Sequence, residues 1–435
     1  MKKFLRIFLF SLMICVVVAA LAACAGNHQH SFTERWSTNA THHWHAGNCE
    51  HTQQIADMGE HTWTTEGTVT LKPGCTTNGK NTYTCTVCGM TKSDLIQPTG
   101  HTYTDASWGY AAVNGALYLE KRCDVCNEIA EQNAVSNSAV AIDQDDAQYW
   151  LDYAEDGFIL YLLPDVDYGT LYIRTTIDHR AVNVDNWADG NNMYFRSISG
   201  LTILGADGAM LDAIVIEAGT YTTGGAQHSA SYINPNHKSF IALEDLTISN
   251  LTFSGETTPL RLEGQLAIDG LTVDGCSMDT HNDIHFLVMA GESGAEYFDL
   301  IANEALMTVS YKNITVINCT ISGVETAIEL CGTENVTVSG NTFADVGAYV
   351  ILMNGNTAYT GTVTVTDNAV DGCGNRFLLA DNVTADLVVT GNTVANYIGT
   401  NTDIVNVTNM TGNATVADND WGDEAFTETI EAPAV

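Results

Sequence analysis

The sequence predicts an all-β chain, with a β-solenoid as its larger part and a small region rich in Cys and His ahead of it. Three observations predict this. An octad of β-branched residues closing on Gly, Asn or Asp recurs as LTISNLTF at 246, LTVDGCSM at 271, ITVINCTI at 314, VTVSGNTF at 336, VTVTDNAV at 363, LVVTGNTV at 387 and ATVADNDW at 414. A second run falls between the octads, as LRLEG at 260, LVMAG at 287, IELCG at 328, ILMNG at 351, LLADN at 378 and VNVTN at 405. Only 6 Pro stand against 37 Gly, with Thr, Asn, Val and Ala abundant, a composition of strands and turns.

The first element is a leader. MKKFLRIFLFSLMICVVVAALAAC places three basic residues before an apolar run that ends in Leu21-Ala22-Ala23-Cys24, the build of a secretory signal over 1–23. The small residues before Cys24 resemble the bacterial lipoprotein lipobox. That resemblance implies cleavage before Cys24, acylation of its thiol, a lipidated tether over 24–29, a membrane as partner, and export to the cell surface. The 52 acidic against 16 basic residues give a formal charge of -36, which repels phosphate backbones and excludes nucleic acid as a partner. The acids are scattered, without the spacing of a calcium loop, so they serve solubility and leave Ca²⁺ unsupported.

The second element covers residues 30–130. Eight of the thirteen His and six of the twelve Cys fall between 25 and 130, and a segment this polar needs staples. His-x-aromatic recurs at His30, His61 and His101, and C-x2-C recurs at Cys85/Cys88 and Cys123/Cys126. Cys75, Cys85 and Cys88, with either His61 or His101, offer the four ligands of a closed tetrahedral Zn²⁺ site, and Cys75, Cys85, Cys88 and His101 are taken as the set. Val113 stands where Cys75 would recur, and the first unit supplies His43, His45, Cys49 and His51 without a C-x2-C. One complete structural zinc site is therefore expected. Disulfides among the same cysteines are the alternative in an exported protein. YTCTVCGMTKSDLIQPTGHTY (83–103) resembles the tandem C-x2-C-G repeats of surface proteins of anaerobic bacteria, which implies small zinc-ribbon-like units.

The third element is the solenoid. Aligned octads place Leu251, Cys276, Cys319, Asn341, Asn368, Asn392 and Asn419 in one column, at intervals of 25, 43, 22, 27, 24 and 27 residues. Short strands repeating every two dozen residues stack as coils, so like positions lie above one another. Stacked Asn amides then bond along the axis, and Cys276 and Cys319 act as small buried apolar groups. In the second run the first and third positions are nearly all aliphatic and the second and fourth are mixed, the period-2 pattern of a wall with one dry face. DDAQYWLDYA (145–154) has helical spacing and predicts a cap over the open end. Cap helix, GTLYI first rung and seven octads together resemble the pectate-lyase-like right-handed parallel β-helix superfamily over 137–426, leaving 427–435 as a tail. The superfamily contains polysaccharide lyases, glycoside hydrolases and many surface proteins, so the resemblance implies a fold and leaves activity open.

Two long intervals carry insertions, TYTTGGAQHSASYINPNHKSF (220–240) and ESGAEYFDLIANEALM (292–307), and both bracket the coils from 246 to 290. Function is sought there. Lys238, Arg261, Glu263, Asp283 and His285 are the candidate catalytic residues, and Asp279 and His281 the candidate ligand-binding ones. The alternative for MDTHNDIHF is a polar turn that Asp283 closes. A lyase needs a cation to offset a uronate carboxylate and a base for the α-proton, and Arg261 with Lys238 suits the first need. Asn401-Thr402-Asp403 coincides with a polygalacturonase triplet, yet the other motifs of that family are absent and such a hydrolase is disfavoured. The expectation is a cell-surface lipoprotein whose β-helix binds a glycan or other surface ligand. A lyase acting on acidic polysaccharide and a purely structural rod are the alternatives.

Overall fold

A computed structural model describes residues 29–174, 198–217, 243–263, 267–289, 310–353, 358–422 and 425–433, with the short strands 176–178, 193–195, 220–223 and 226–229. The expected signal 1–23, Cys24, Lys238 and the insertion 292–307 lie outside the described residues, as does all of the expected tether 24–29 except Gln29. The chain divides into two compact units, residues 1–107 with 121–130, and residues 108–120 with 131–435. The boundary thus differs from the expected 30–130, because Leu117 is buried against Val140 and Tyr161 in the second unit.

The second unit is a solenoid with three walls of parallel strands. The first wall runs in order through Ser138–Ala141, Ile159–Leu162, Thr202–Gly205, Leu243–Ser249, Ala267–Asp274, Ser310–Ile317, Thr333–Ser339, Thr360–Thr366, Asp386–Thr390 and Ala414–Ala417. The second begins at Met210–Leu211 and ends at Thr393–Ala395, and the third begins at Thr170–Arg174 and ends at Thr427–Ile430. Each of the first six octads supplies one strand of the first wall and one of the second, and the seventh supplies Ala414–Ala417 of the first wall and a single bridge from Asp420 to Thr393. Residues 427–430 were expected in a tail; they pair in parallel with Asp403–Thr408 and extend the third wall. The pairing satisfies backbone groups that an unpaired edge would leave open.

Alternation decides what enters the core. Leu271 and Val273, Ile314 and Val316, Val336 and Val338, and Val363 and Val365 turn inward from successive first-wall strands, each at most 2 % exposed. Met278, Ile321, Phe343 and Val370 line the second wall, and Leu287, Ile328, Ile351 and Leu378 the third. The helix Gln144–Asp152 matches the predicted cap. Asp143 accepts the N–H of Asp146 at its N-terminus, and Ala147 and Leu151 are buried in the same core.

The corner between the first two walls explains why each octad carries Gly, Asn or Asp. Asn250, Gly275, Asn318, Gly340, Asp367, Gly391 and Asp418 occupy equivalent places, all with φ between 54° and 70°. Only Gly, and to a lesser degree Asn and Asp, adopt this left-handed conformation at low cost. The next residue turns into the core, and the expected amide stack is present there. Asn341 Nδ2 donates to Asn368 Oδ1 at 2.9 Å, Asn368 Nδ2 to Asn392 Oδ1 at 2.9 Å, and Asn392 Nδ2 to Asn419 Oδ1 at 2.9 Å. Each amide also donates to a carbonyl one coil back along the first wall: Val316, Val338 and Val365 for the first three. Each Oδ1 takes a backbone N–H, as Asn341 takes that of Cys319 at 2.9 Å. At Cys276 and Cys319 a thiol fills the same place, 1 % exposed, and the neighbouring Cys319 thiol, together with burial, holds the Cys276 thiol well above its ordinary range.

Two outcomes follow from this architecture. Asn368→Ala strands the buried N–H of Asn341 and the carbonyl of Val338, and should lower stability by about 2–5 kcal/mol in denaturant unfolding. Asn419→Ala, half-exposed at the end of the stack, should cost less. Acid should also weaken the solenoid. Thr408 lowers the Asp381 carboxyl despite partial burial, and Asn413 lowers that of Asp386 through its N–H and amide. Their contribution is complete above the ordinary value of 3.8 and is lost as pH falls below it. The thermal midpoint should therefore be flat near neutrality and drop below about pH 4, less so in Asp386→Asn.

Candidate metal centres and the outer face of the third wall

The Cys/His region contains three small sheets of three strands. They are Phe32–Thr38, His42–Gly47 and Ile55–Glu60; Thr68–Leu71, Gly79–Thr84 and Thr91–Ile96; and Trp108–Val113, Ala116–Arg122 and Ile129–Ala134. In each, the cysteine turn joins the second strand to the third. In the later two it is a tight knuckle: Gly89 N–H donates to the Cys85 carbonyl, and Asn127 N–H to the Cys123 carbonyl. Gly89 and Asn127 take φ of 74° and 60°, which is why Gly or Asn follows C-x2-C.

The knuckles orient amides at sulfur. Burial raises the Cys85 thiol, but the N–H groups of Cys88 and Val87 and the His61 ring outweigh it and bring the thiol to about 6. The Val125 N–H, against burial and with the Cys126 N–H, brings Cys123 to about 5. Cys75 has no knuckle, and burial pushes it up to about 11. Thiolates are the metal-binding form.

Three groups place their ligand atoms within 4.8 Å of one another: His43, His61, Cys85 and Cys88; Cys75, His101, Cys123 and Cys126; and His30, Cys49 and His51. The expected set of Cys75, Cys85, Cys88 and His101 is therefore divided between two groups. The reason is topological. Each His-x-aromatic histidine precedes its own sheet and faces the knuckle of that sheet, whereas Cys75 lies in the loop before Gly79–Thr84 and reaches the knuckle of the following repeat. His43 likewise serves the repeat after its own. Sequence reasoning counted His43 with the first unit, on whose strand His42–Gly47 it sits, whereas its ring joins His61, Cys85 and Cys88.

The spacing suits a tetrahedral ion. With metal–sulfur and metal–nitrogen distances of about 2.3 and 2.0–2.1 Å, ligand atoms on tetrahedral Zn²⁺ lie about 3.6 Å apart for S and N and about 3.8 Å for two sulfurs. Cys88 Sγ is 3.4 Å from His61 Nδ1, Cys126 Sγ is 3.3 Å from His101 Nδ1, and Cys75 Sγ is 3.7 Å from Cys123 Sγ. The far nitrogens are held as ligating histidines require: His61 Nε2 is 2.9 Å from the Asn39 carbonyl, and His101 Nε2 is 3.3 Å from Glu128. His43, 5 % exposed, has no hydrogen-bond partner at Nδ1. All ten described cysteines are free thiols. Among the described residues these groups contain only Cys and His, and a calcium ion, which takes oxygen ligands, has no comparable group there.

The solenoid candidates separate. Within the turn assigned to Asp283 the Asn282 N–H donates to the Thr280 hydroxyl at 3.2 Å, and the Thr280 hydroxyl and Asn282 Nδ2 both donate to the Gly255 carbonyl of the preceding coil, at 2.8 and 2.7 Å. Asp279, His281 and Asp283 are exposed around that turn. His285 starts the next third-wall strand, and its Nδ1 lies 2.9 Å from Glu329 Oε2. Register places Arg261, Val288, Glu329, Leu352 and Leu379 in one outward column, so Arg261 and Glu329 are two strands apart, about 10 Å. Glu263 belongs to the Arg261 strand. A parallel column aligns His285, Thr326, Tyr349 and Arg376. Arg376 Nη2 binds the Asp403 carboxylate at 2.9 and 3.0 Å and Nε binds its carbonyl, which gives the Asn-Thr-Asp aspartate a structural partner. Glu329 escaped sequence reasoning because it lies 44 residues from His285; its signal was an acid at an outward position of IELCG.

Residues 188–394 match the family model described as a right handed beta helix region. The solenoid is a right-handed parallel β-helix. Its walls of parallel strands fit the pectate-lyase-like superfamily that the octads resemble. No curated protein matches the chain.

The division of ligands has a measurable consequence. In reduced protein loaded with Co²⁺, Cys75→Ser should alter the thiolate bands of one centre and Cys85→Ser those of another, with additive spectra in the double variant. A single centre built from both residues would lose the same band in either variant.

Proposed function

We propose that this protein is an exported, lipid-anchored surface protein whose β-helix binds a glycan, with zinc-stapled repeats between the lipid on Cys24 and the β-helix. The observation that carries the binding reading is the outer face of the third wall. There Arg261, His285, Glu329, Tyr349 and Arg376 sit at fixed register on a ladder whose spacing the backbone sets. Carboxylate, imidazole and guanidinium groups are hydrogen-bond partners for sugar hydroxyls, and a tyrosine ring offers an apolar body with a polar tip. A rigid face loses little conformational freedom on binding, so weak contacts repeated along a polymer add up.

Zinc in the repeats is the second part of the reading. Cysteine and histidine in fours, at tetrahedral spacing, leave no coordination position for a substrate in the two complete centres, and the metal serves as a staple. The small sheets bury too little apolar surface to stand otherwise.

One observation favours a lyase as the second reading. Glu329 Oε2 lies 2.9 Å from Nδ1 of His285, so a carboxylate and an imidazole stand together on the outer face, the imidazole a candidate base. In such a reaction His285 removes the proton α to a uronate carboxylate, Arg261 offsets the carboxylate charge, and the electron pair expels the glycosidic oxygen across the new double bond.

Purified protein lacking the lipid distinguishes these readings on an array of neutral and acidic glycans, with ultraviolet absorbance of unsaturated uronates followed in parallel. Binding without an absorbance rise, weakened about tenfold (about 1.4 kcal/mol) in His285→Ala and Glu329→Gln, is the expected result. An absorbance rise that disappears in His285→Ala establishes the lyase. Absence of both overturns the proposal for this face.

A further inference from the structure

The two complete centres share one plan, and the first repeat follows it only in part. In each complete centre a His-x-aromatic histidine places Nδ1 against the last sulfur of its own knuckle, at 3.4 Å for His61 and Cys88 and 3.3 Å for His101 and Cys126. The knuckle supplies a second thiolate, Cys85 or Cys123, and the preceding repeat supplies the fourth ligand, His43 or Cys75. In the first repeat His30 Nδ1 stands 3.5 Å from Cys49 Sγ, the same relation, and His51 takes the place of the second knuckle cysteine. The rings of His30 and His51 are 5.2 Å apart at 78°, a disposition in which two imidazole nitrogens converge on one point. No repeat precedes this one among the described residues to donate a fourth ligand. His30 and His51 are exposed, unlike Cys85 and Cys123, which are buried.

We propose that His30, Cys49 and His51 form a third centre for a borderline-soft divalent ion such as Zn²⁺, with three protein ligands and its fourth position open to a small donor from solvent. Two imidazoles and one thiolate are a ligand set that binds zinc strongly and, with a free position, keeps it as a Lewis acid and exchangeable site. The two inner centres close on themselves and act within the repeats. The outer one offers water, or an incoming imidazole or thiolate, direct access to the ion. The inference rests on the reading that the repeats hold metal.

Titration of the reduced full chain with Co²⁺ tests it. Three ions per chain should bind, the third with the weakest affinity, and Cys49→Ser should reduce the count to two while leaving the other two sets of bands intact. Azide or imidazole should then shift the visible bands of the three-ion protein and leave the Cys49→Ser protein unchanged. Two ions in both proteins overturn the third centre while the inner centres stand; no bound ion overturns the metal reading itself. A third ion whose bands ignore azide and imidazole shows a closed site and overturns the open position. His28→Ala is the control, since His28 lies two residues before His30 in the sequence: a response gained only in that variant identifies His28 as the fourth ligand and equally overturns the open position.

Discussion

The β-helix depends on one constraint: a chain that turns inward at every corner must still satisfy the polar groups it buries there. At the corner between the first and second walls the backbone swings through a left-handed residue, and the next residue's N–H faces the interior. A buried N–H without a partner costs about 1–3 kcal/mol, repeated here in every coil. The side chain of the corresponding Asn one coil onward answers it, as Asn368 does for Asn341 and Asn392 for Asn368. The amide is thereby consumed in both directions, its oxygen by two donors and its nitrogen by two acceptors. The pairing works only if consecutive coils keep the same register, so a polar contact inside the core fixes the geometry of all three walls.

That constraint explains why so much of the fold was legible. A structure that repeats in space must repeat in sequence wherever backbone conformation or buried polarity is demanding, and the octads are those places. Gly340 with Asn341 and Asp367 with Asn368 carry both demands in two adjacent letters. The cap helix was legible for a different reason, the helical spacing of the apolar residues in DDAQYWLDYA just before the first coils. The last strand, 427–430, was not, because TETI lacks the aliphatic alternation of the other third-wall strands and is held by the edge it meets.

The sites were less legible because proximity in them is set by stacking and by the order of hairpins, and sequence distance says little about either. His285 and Glu329 meet across one coil boundary although an insertion separates them in the chain. Cys75 and Cys85 are close in sequence and part company because the hairpin between them sends one forward to the next repeat and the other back to its own. A spacing argument that assumes ligands come from one unit finds the right residue types and joins the wrong ones.

The interleaving has an energetic meaning that a self-contained site would lack. A small sheet with few buried apolar residues stands near the edge of stability. If its metal took all four ligands from within it, each repeat would be stapled and still free to swing relative to the next. With a ligand lent by the preceding repeat, an ion held in either group would crosslink neighbours, so that holding the metal and holding the repeats in order would become one event. In the β-helix the Asn stack does the same with hydrogen bonds. Both parts of the chain thus place groups that reach into the neighbouring repeat: in one, His43 and Cys75 beside the cysteine knuckle of the following repeat, and in the other, the amide of a single residue type.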